Sequence, residues 1–97
     1  GDVVIYLAKS LKRRRAMEYE STTGLESDFL EKVWASNTTI RTKITTVRLE
    51  KTGASTIEIR PRDIGTDKEG WSVGESQIPV QTLKEAIIVG MEIQARQ

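Results

Sequence analysis

The side chains best suited to bind a ligand in this chain are basic ones at alternating positions. In the segment 56–62, Ile57 and Ile59 occupy odd positions, whereas Arg60 and Arg62 occupy even ones. Successive side chains of a β-strand point to opposite faces of its sheet. The pattern therefore predicts a strand that buries the isoleucines and presents both arginines to solvent.

A second basic pair, Arg41 and Lys43, has the same spacing within a segment rich in Thr, Ile and Val. On a strand, both side chains share one face. Together with Arg60 and Arg62 they would form a cationic surface that suits phosphate groups. The alternative is that the two later arginines form cross-strand ion pairs with nearby acids, which contribute little to stability.

A basic block near the start of the chain contains Arg13, Arg14 and Arg15, although the net charge of the whole chain is only +1. One interpretation is a solvated turn or helix face. The other is an accessory arm that contacts phosphates.

Trp71 is the aromatic residue to consider for base stacking, because it follows Gly70 at the start of a predicted strand. Exposed aromatic rings stack on the bases of single-stranded nucleic acids. Packing in the core is the competing interpretation. Trp34, on a predicted short helix, is expected in the core or at an interface.

Catalysis is not expected, because the chain has neither histidine nor cysteine. It therefore lacks an imidazole base, a thiolate nucleophile and a His- or Cys-based metal site. The carboxylates are scattered and do not follow the spacing of a metal-binding loop. A hydrolase would require two of them to converge in a cleft. We expect no cofactor and no metal.

The lack of cysteine also excludes a disulfide framework, and an intracellular location is the default expectation, without distinction between nucleus, nucleoid and cytoplasm. The longest apolar runs, residues 3–8 and 86–91, are too short to span a bilayer, so no membrane partner is expected.

The elements that position these residues begin with a predicted strand over residues 2–8. Residues 9–20 are predicted to form a second strand in a hairpin, the alternative being a basic amphipathic helix continuous with the first segment. A short helix is predicted over residues 28–35, with an N-terminal cap from Ser27 and Asp28.

Residues 38–51 are predicted to form one long strand, because Thr, Ile and Val fit a pleated surface. A turn over residues 51–54 leads into the strand at 56–62, so that residues 39–62 form a hairpin. Residues 64–70 are an exposed connection. Because Pro79 has no backbone N–H, residues 77–80 belong at a sheet edge or a strand end.

The last predicted helix starts at the sequence Thr82-Leu83-Lys84-Glu85, which matches a capping box. Its apolar residues cover more than one stripe, so one side can pack on the sheet while another meets a partner. The predicted fold is a single α+β domain over residues 1–97, with an N-terminal part (1–37) and a C-terminal part (38–97). It consists of a curved antiparallel β-sheet, a C-terminal helix and a short additional helix.

Four consecutive features carry a family resemblance. They are the segment Ile57-Glu58-Ile59-Arg60, a charged loop ending in Gly, a strand ending in Ile78-Pro79-Val80, and the run Leu83-Lys84-Glu85-Ala86-Ile87. They resemble the single-stranded-DNA-binding domain of transcriptional coactivators of the positive cofactor four type, over about half of the chain. The resemblance implies a curved antiparallel sheet that dimerises through its helices and binds single strands across the sheet. Arg60 matches a nucleic-acid contact of that family, whereas Ser76 stands where the family has a lysine.

The sequence thus predicts a nucleic-acid-binding module for single-stranded DNA or RNA, with a role in transcription or replication, that forms a homodimer or higher homo-oligomer. The alternative is a non-enzymatic structural or interaction subunit that assembles through its C-terminal helix.

Overall fold

A computed structural model describes the backbone of residues 2–5 and the chain from residue 25 to residue 97. Within these residues the elements follow in the order β1 (Asp2–Ile5), α1 (Ser27–Ala35), β2 (Thr38–Lys43), β3 (Thr46–Lys51), β4 (Ile57–Arg62), β5 (Gly70–Val73), β6 (Ile78–Val80) and α2 (Leu83–Ala95).

The strands form one antiparallel sheet in which each strand lies beside its neighbours in sequence, from β1 at one edge to β6 at the other. From β2 to β6 the connections are short and leave the sheet at alternate ends, whereas residues 6–37, which include α1, separate β1 from β2. The predicted α+β class, with an antiparallel sheet, a C-terminal helix and a short additional helix, is confirmed.

The hydrophobic core lies on one face of the sheet, which we call the inner face. Its strand residues alternate with polar ones and are almost fully buried: Ile40, Val47, Leu49, Ile57, Ile59 and Val73. The helix α2 packs across β3, β4, β5 and β6, while α1 packs on β2. Both helices therefore cover the inner face and leave the opposite, outer face of the sheet uncovered by the described chain.

The helix α2 begins with the predicted capping box. The backbone N–H of Glu85 donates to Oγ1 of Thr82 over 3.1 Å, and the Thr82 hydroxyl lies 3.3 Å from Oε1 of Glu85. Near the other end, the buried amide of Gln94 donates to the carbonyl oxygens of Leu49 (2.9 Å) and Ser55 (3.1 Å). The capping contacts define the start of α2, and the hydrogen bonds of Gln94 fix its C-terminal part relative to β3 and the following loop.

Gly90 sets how closely α2 approaches the sheet. A Cβ atom at this position would lie 2.5 Å from Cδ1 of Leu49 and 3.3 Å from Cγ2 of Ile57. The absence of a side chain lets the helix backbone pack directly on β3 and β4.

The predicted long strand over residues 38–51 is wrong, because the structure divides it into β2 and β3. These strands form a hairpin in which Lys43 pairs with Thr46, so Ile44 and Thr45 make a two-residue loop. Ile44 has a φ of 58°. Loops of this length normally carry Gly or Asn at positive φ, and neither residue is present here to indicate the turn. The hairpin predicted over residues 39–62 is accordingly a three-stranded meander.

The predicted helix over residues 28–35 is confirmed with one more residue, since α1 begins at Ser27. The predicted cap is wrong: the N-cap position is Glu26, whose side chain forms no capping hydrogen bond. Trp34 is 38% exposed and does not belong to the buried core.

In the N-terminal part, β1 confirms strand structure for residues 2–5, and it pairs with β2. The segment 9–20, predicted as a strand or a basic helix, lies outside the described residues. The exposed connection before β5 and the edge position of β6 are confirmed.

Candidate functional site

The register of the sheet gathers the predicted basic residues on the outer face. Residues that are paired directly across neighbouring strands share a face, so the positions between the buried ones all point away from the helices. Over β2 to β5 the outer face comprises Thr39, Arg41, Lys43, Thr46, Arg48, Glu50, Glu58, Arg60, Arg62 and Ser72, and the register of β1 adds Asp2 beside Lys43 and Val4 beside Arg41. The structure thus brings Arg41, Lys43, Arg60 and Arg62 onto one surface.

Two arginines near the middle of this face have acidic neighbours. Arg41 is hydrogen-bonded to Glu50, whereas Nε of Arg48 is buried without a hydrogen-bond partner among the described residues, at the edge of ion-pair distance from Glu58. Arg41 and Arg48 are direct cross-strand partners, an arrangement of like charges that is unfavourable by itself. Nε of Arg41 lies 3.2 Å from both carboxylate oxygens of Glu50, and Nε of Arg48 lies 3.9 Å from Oε2 of Glu58. The acids therefore offset the repulsion, and this part of the face carries alternating charge.

The positive charge is concentrated at one end of the outer face, in a group that we call the cationic end: Lys43, Arg60 and Arg62. The register of β3 places Thr46 between Lys43 and Arg60, so their backbones are separated by about two strand spacings, or ~10 Å. Lys43 is exposed and forms no ion pair with a side chain of residues 25–97, and its direct partner on β1 is Asp2.

The two arginines of the cationic end have acidic neighbours but stay open to solvent. Nη2 of Arg60 lies 2.6 Å from Oε1 of Glu58, and Nη2 of Arg62 lies 3.1 Å from Oδ2 of Asp63. The Arg60 side chain nevertheless remains 63% exposed. Exposed ion pairs of this kind are worth at most about 1 kcal/mol, so an incoming anion can compete for the guanidinium groups.

A groove of about 740 Å³ extends along β4 and β5, from the arginines of the cationic end to the turn that joins β5 to β6 at the opposite end of the sheet. Its lining includes Arg60 and Arg62 but also Glu58 and Glu75. Because two carboxylates accompany the two guanidinium groups, the groove does not favour anions, and its hydroxyl and amide groups suit polar ligands.

Trp71 does not lie on the face of the sheet that carries the basic residues. It pairs across the sheet with Pro61 on β4 and with Val80 on β6, and its ring packs partly against the core on the inner face. Its distance of two residues from the buried Val73 was the sequence signal for this orientation. Among residues 25–97, the outer face defined by the register contains no aromatic side chain.

Arg48 and Glu50 lie on this face but had not been predicted as part of the site. Their positions follow from the β2–β3 hairpin, and once the turn at Ile44 is known the alternation on β3 identifies them. Glu58 lies on β4, where the predicted alternation already places it on the same face as Arg60 and Arg62. Arg13, Arg14 and Arg15, the predicted accessory arm, lie outside the described residues.

Within the described part of the chain, no group of three or more Asp or Glu side chains could hold a metal ion. Neither α1 nor α2 is long and apolar enough to cross a membrane. Comparisons with protein-family models, with curated proteins and with solved structures gave no match to this chain.

Proposed function

We propose that this chain is a nucleic-acid-binding module that prefers single strands and binds them on the outer face of its sheet. The observation that carries the proposal is the cationic end, where Lys43, Arg60 and Arg62 are solvent-accessible on a surface that no part of residues 25–97 covers. Phosphate contacts by such residues supply most of the affinity in sequence-independent binding. The resemblance of residues 57–60 and 83–87 to the single-stranded-DNA-binding coactivator domain supports the same reading.

The preference for single strands follows from the shape of the surface. An α-helix or a two-stranded ribbon fits the major groove of a duplex, whereas a broad sheet face does not. A flexible single strand can follow the sheet and place successive phosphates over basic side chains. The protein then acts by binding, without turnover or cofactor, as an intracellular component of transcription or replication.

The direct test is fluorescence polarisation with a labelled single strand of about 20 nucleotides at two salt concentrations, with unlabelled single strand and matched duplex as competitors. We expect salt-sensitive binding that the single strand displaces better than the duplex. Absence of binding at low salt, or equal displacement by duplex, would contradict the proposal.

We further propose that the chain forms a homodimer through α2. The helices α1 and α2 flank an apolar groove of about 630 Å³, whose lining includes Phe29, Val33, Ile88 and Met91. Ile88 is 41% exposed at the centre of this lining. Exposed apolar side chains in a groove between helices suit a packed partner helix.

Charges on α2 are arranged for pairing with a second copy of the same helix. Lys84 and Glu92 each lie one turn from Ile88, on opposite sides. If two copies of α2 pack antiparallel about a two-fold axis at Ile88, Lys84 of each copy faces Glu92 of the other. This arrangement is self-complementary, and it leaves the outer face of both sheets accessible.

Replacing Ile88 with glutamate is expected to convert the dimer into a monomer, because two carboxylates would be buried at the axis. Light scattering after size exclusion should then give the 10.9 kDa mass of one chain, against twice that mass for the unmodified protein. K84E should weaken the dimer, and K84E/E92K should restore it, since the exchange recreates both ion pairs. A dimer that survives I88E would contradict this interface.

The alternative function, a subunit that only assembles through α2, is supported by the same apolar groove. It predicts that the dimer forms while the outer face binds no nucleic acid at any salt concentration. The polarisation experiment therefore separates the two functions.

A further inference from the structure

Two isoleucines project from the end of the sheet that carries the cationic end. Ile44 is 92% exposed and Ile64 is 70% exposed. The β2–β3 loop and the β4–β5 connection both leave the antiparallel meander at this end. Single exposed apolar residues are common on protein surfaces, but here two lie at neighbouring connections.

The backbone at both positions is also unusual. Ile44 itself has a φ of 58°, in the left-handed region that β-branched residues rarely adopt. Ile64 stands between Asp63, with a φ of 49°, and Gly65, with a φ of 84°. Gly or Asn at position 44 would relieve the backbone strain, and the exposed side chain gains no packing in return. Stability of the fold therefore does not explain an isoleucine there, and strained residues of this kind cluster at functional sites.

The charges beside the isoleucines indicate what they could contact. Lys43 directly precedes Ile44, and Arg62 lies two residues before Ile64. A ligand that satisfies both features must carry negative charge and apolar surface in close alternation. Single-stranded nucleic acid has this chemistry, since each nucleotide joins a phosphate to a base with apolar faces.

We propose that Ile44 and Ile64 contact the unstacked bases of a single strand whose phosphates lie on the cationic end; this inference rests on the proposed function. Isoleucine is among the apolar side chains that proteins place against or between bases. The two side chains would thereby supply the base contacts that the outer face, as described by the structure, cannot supply through aromatic rings. They contribute affinity without a preference for base identity.

The test compares two labelled strands of about 20 nucleotides with the same number of phosphates: a thymidine strand and a strand whose nucleotides all lack bases. The variants are I44N, I64N and the double variant. Asn tolerates positive φ, so I44N should keep or raise the melting temperature. The double variant should lose about 10-fold in affinity for the thymidine strand, as expected when partial burial of two apolar side chains is removed. Its affinity for the strand without bases, and its dependence on salt, should match those of the unmodified protein.

Three outcomes would overturn the inference. Equal losses on both strands would mean that the variants act on phosphate contacts, and unchanged affinity for the thymidine strand would mean that the isoleucines do not contact bases. Loss of binding to phosphatidylserine-containing vesicles, with nucleic-acid binding unchanged, would assign them to a membrane surface. If the unmodified protein binds neither strand, the proposed function itself fails. This result differs from the three outcomes above, because each of them requires that the unmodified protein binds nucleic acid.

Discussion

Replacing both Lys43 and Arg60 with glutamate (K43E/R60E) is expected to lower the affinity for a single strand by about 100-fold at low salt. The reason is that two phosphate contacts are lost and two repulsive charges are introduced. Lys43 has no ion pair with a side chain of residues 25–97, and Arg60 is 63% exposed. The melting temperature should change little, since exposed substitutions of this kind alter stability by about 0.5–1 kcal/mol. Polarisation titrations and thermal unfolding on the same samples provide both measurements.

The matched control is K32E/R96E, which makes the same change in net charge at exposed positions outside the sheet. Lys32 lies on α1, where it also lines the apolar groove, and Arg96 follows α2, so light scattering must show that this control keeps the mass of the unmodified protein. We expect this control to lose far less affinity than the outer-face variant. If both variants lost affinity equally, the binding would respond to overall charge and the cationic end would have no special role.

The largest effects on stability are expected where α2 approaches the sheet. Leu49 is fully buried and would touch a Cβ atom placed on Gly90. L49A should lower the free energy of unfolding by about 3 kcal/mol through loss of buried surface and creation of a cavity. G90A should lower it by about 1–3 kcal/mol because the added methyl group overpacks the contact, even though alanine favours helix formation.

The double variant G90A/L49A distinguishes this geometry from a general loss of stability. The alanine methyl group would occupy part of the cavity left by Leu49, so urea denaturation should show less destabilisation than the sum of the single variants. Additive effects, or a G90A variant more stable than the unmodified protein, would contradict the close packing of α2 on β3.

Much of this fold is predictable because local signals and packing agree. The capping box at Thr82 marks the start of α2, and the alternation around Ile57 and Ile59 identifies β4 together with its solvent-facing arginines. Pro79 correctly assigns β6 to an edge. In each case the local preference of the residues and the packing of the whole fold favour the same structure.

The β2–β3 hairpin was not predictable for a specific reason. Turn prediction depends on Gly, Asn, Asp or Pro, and the loop at Ile44 and Thr45 contains none of them. Pairing of β2 with β3, and the burial that this pairing allows, imposes a turn that the local sequence disfavours. In the structure, Ile44 accordingly has a positive φ and an exposed side chain.

The candidate site was predictable in part for a related reason. The alternation along β2 and β4 places Arg41 and Lys43, and Glu58, Arg60 and Arg62, on one face of their strands, but it does not reveal that Arg48 and Glu50 lie among them. That information depends on the register of β3. Trp71 had been predicted either to stack on bases or to pack in the core, and the structure places its ring against the core on the inner face.

The proposed dimer interface and the proposed nucleic-acid-binding surface lie on opposite sides of the sheet. The helices cover the inner face and contain the apolar groove around Ile88, whereas the cationic end lies on the outer face. Dimerisation and nucleic-acid binding can therefore be disrupted independently. I88E should retain an intact outer face, and K43E/R60E should retain the dimer.

The most direct test of the central claim is an NMR titration of the isotope-labelled protein with a single strand of about 20 nucleotides, followed through the backbone amide signals. We predict that the shifted signals cluster on the outer-face positions of β2, β3 and β4, with the largest changes around Lys43, Arg60 and Arg62, while those of α2 around Ile88 stay in place. Signals that do not move at low salt, or that move only along the groove between α1 and α2, would contradict the assignment of the outer face as the binding surface.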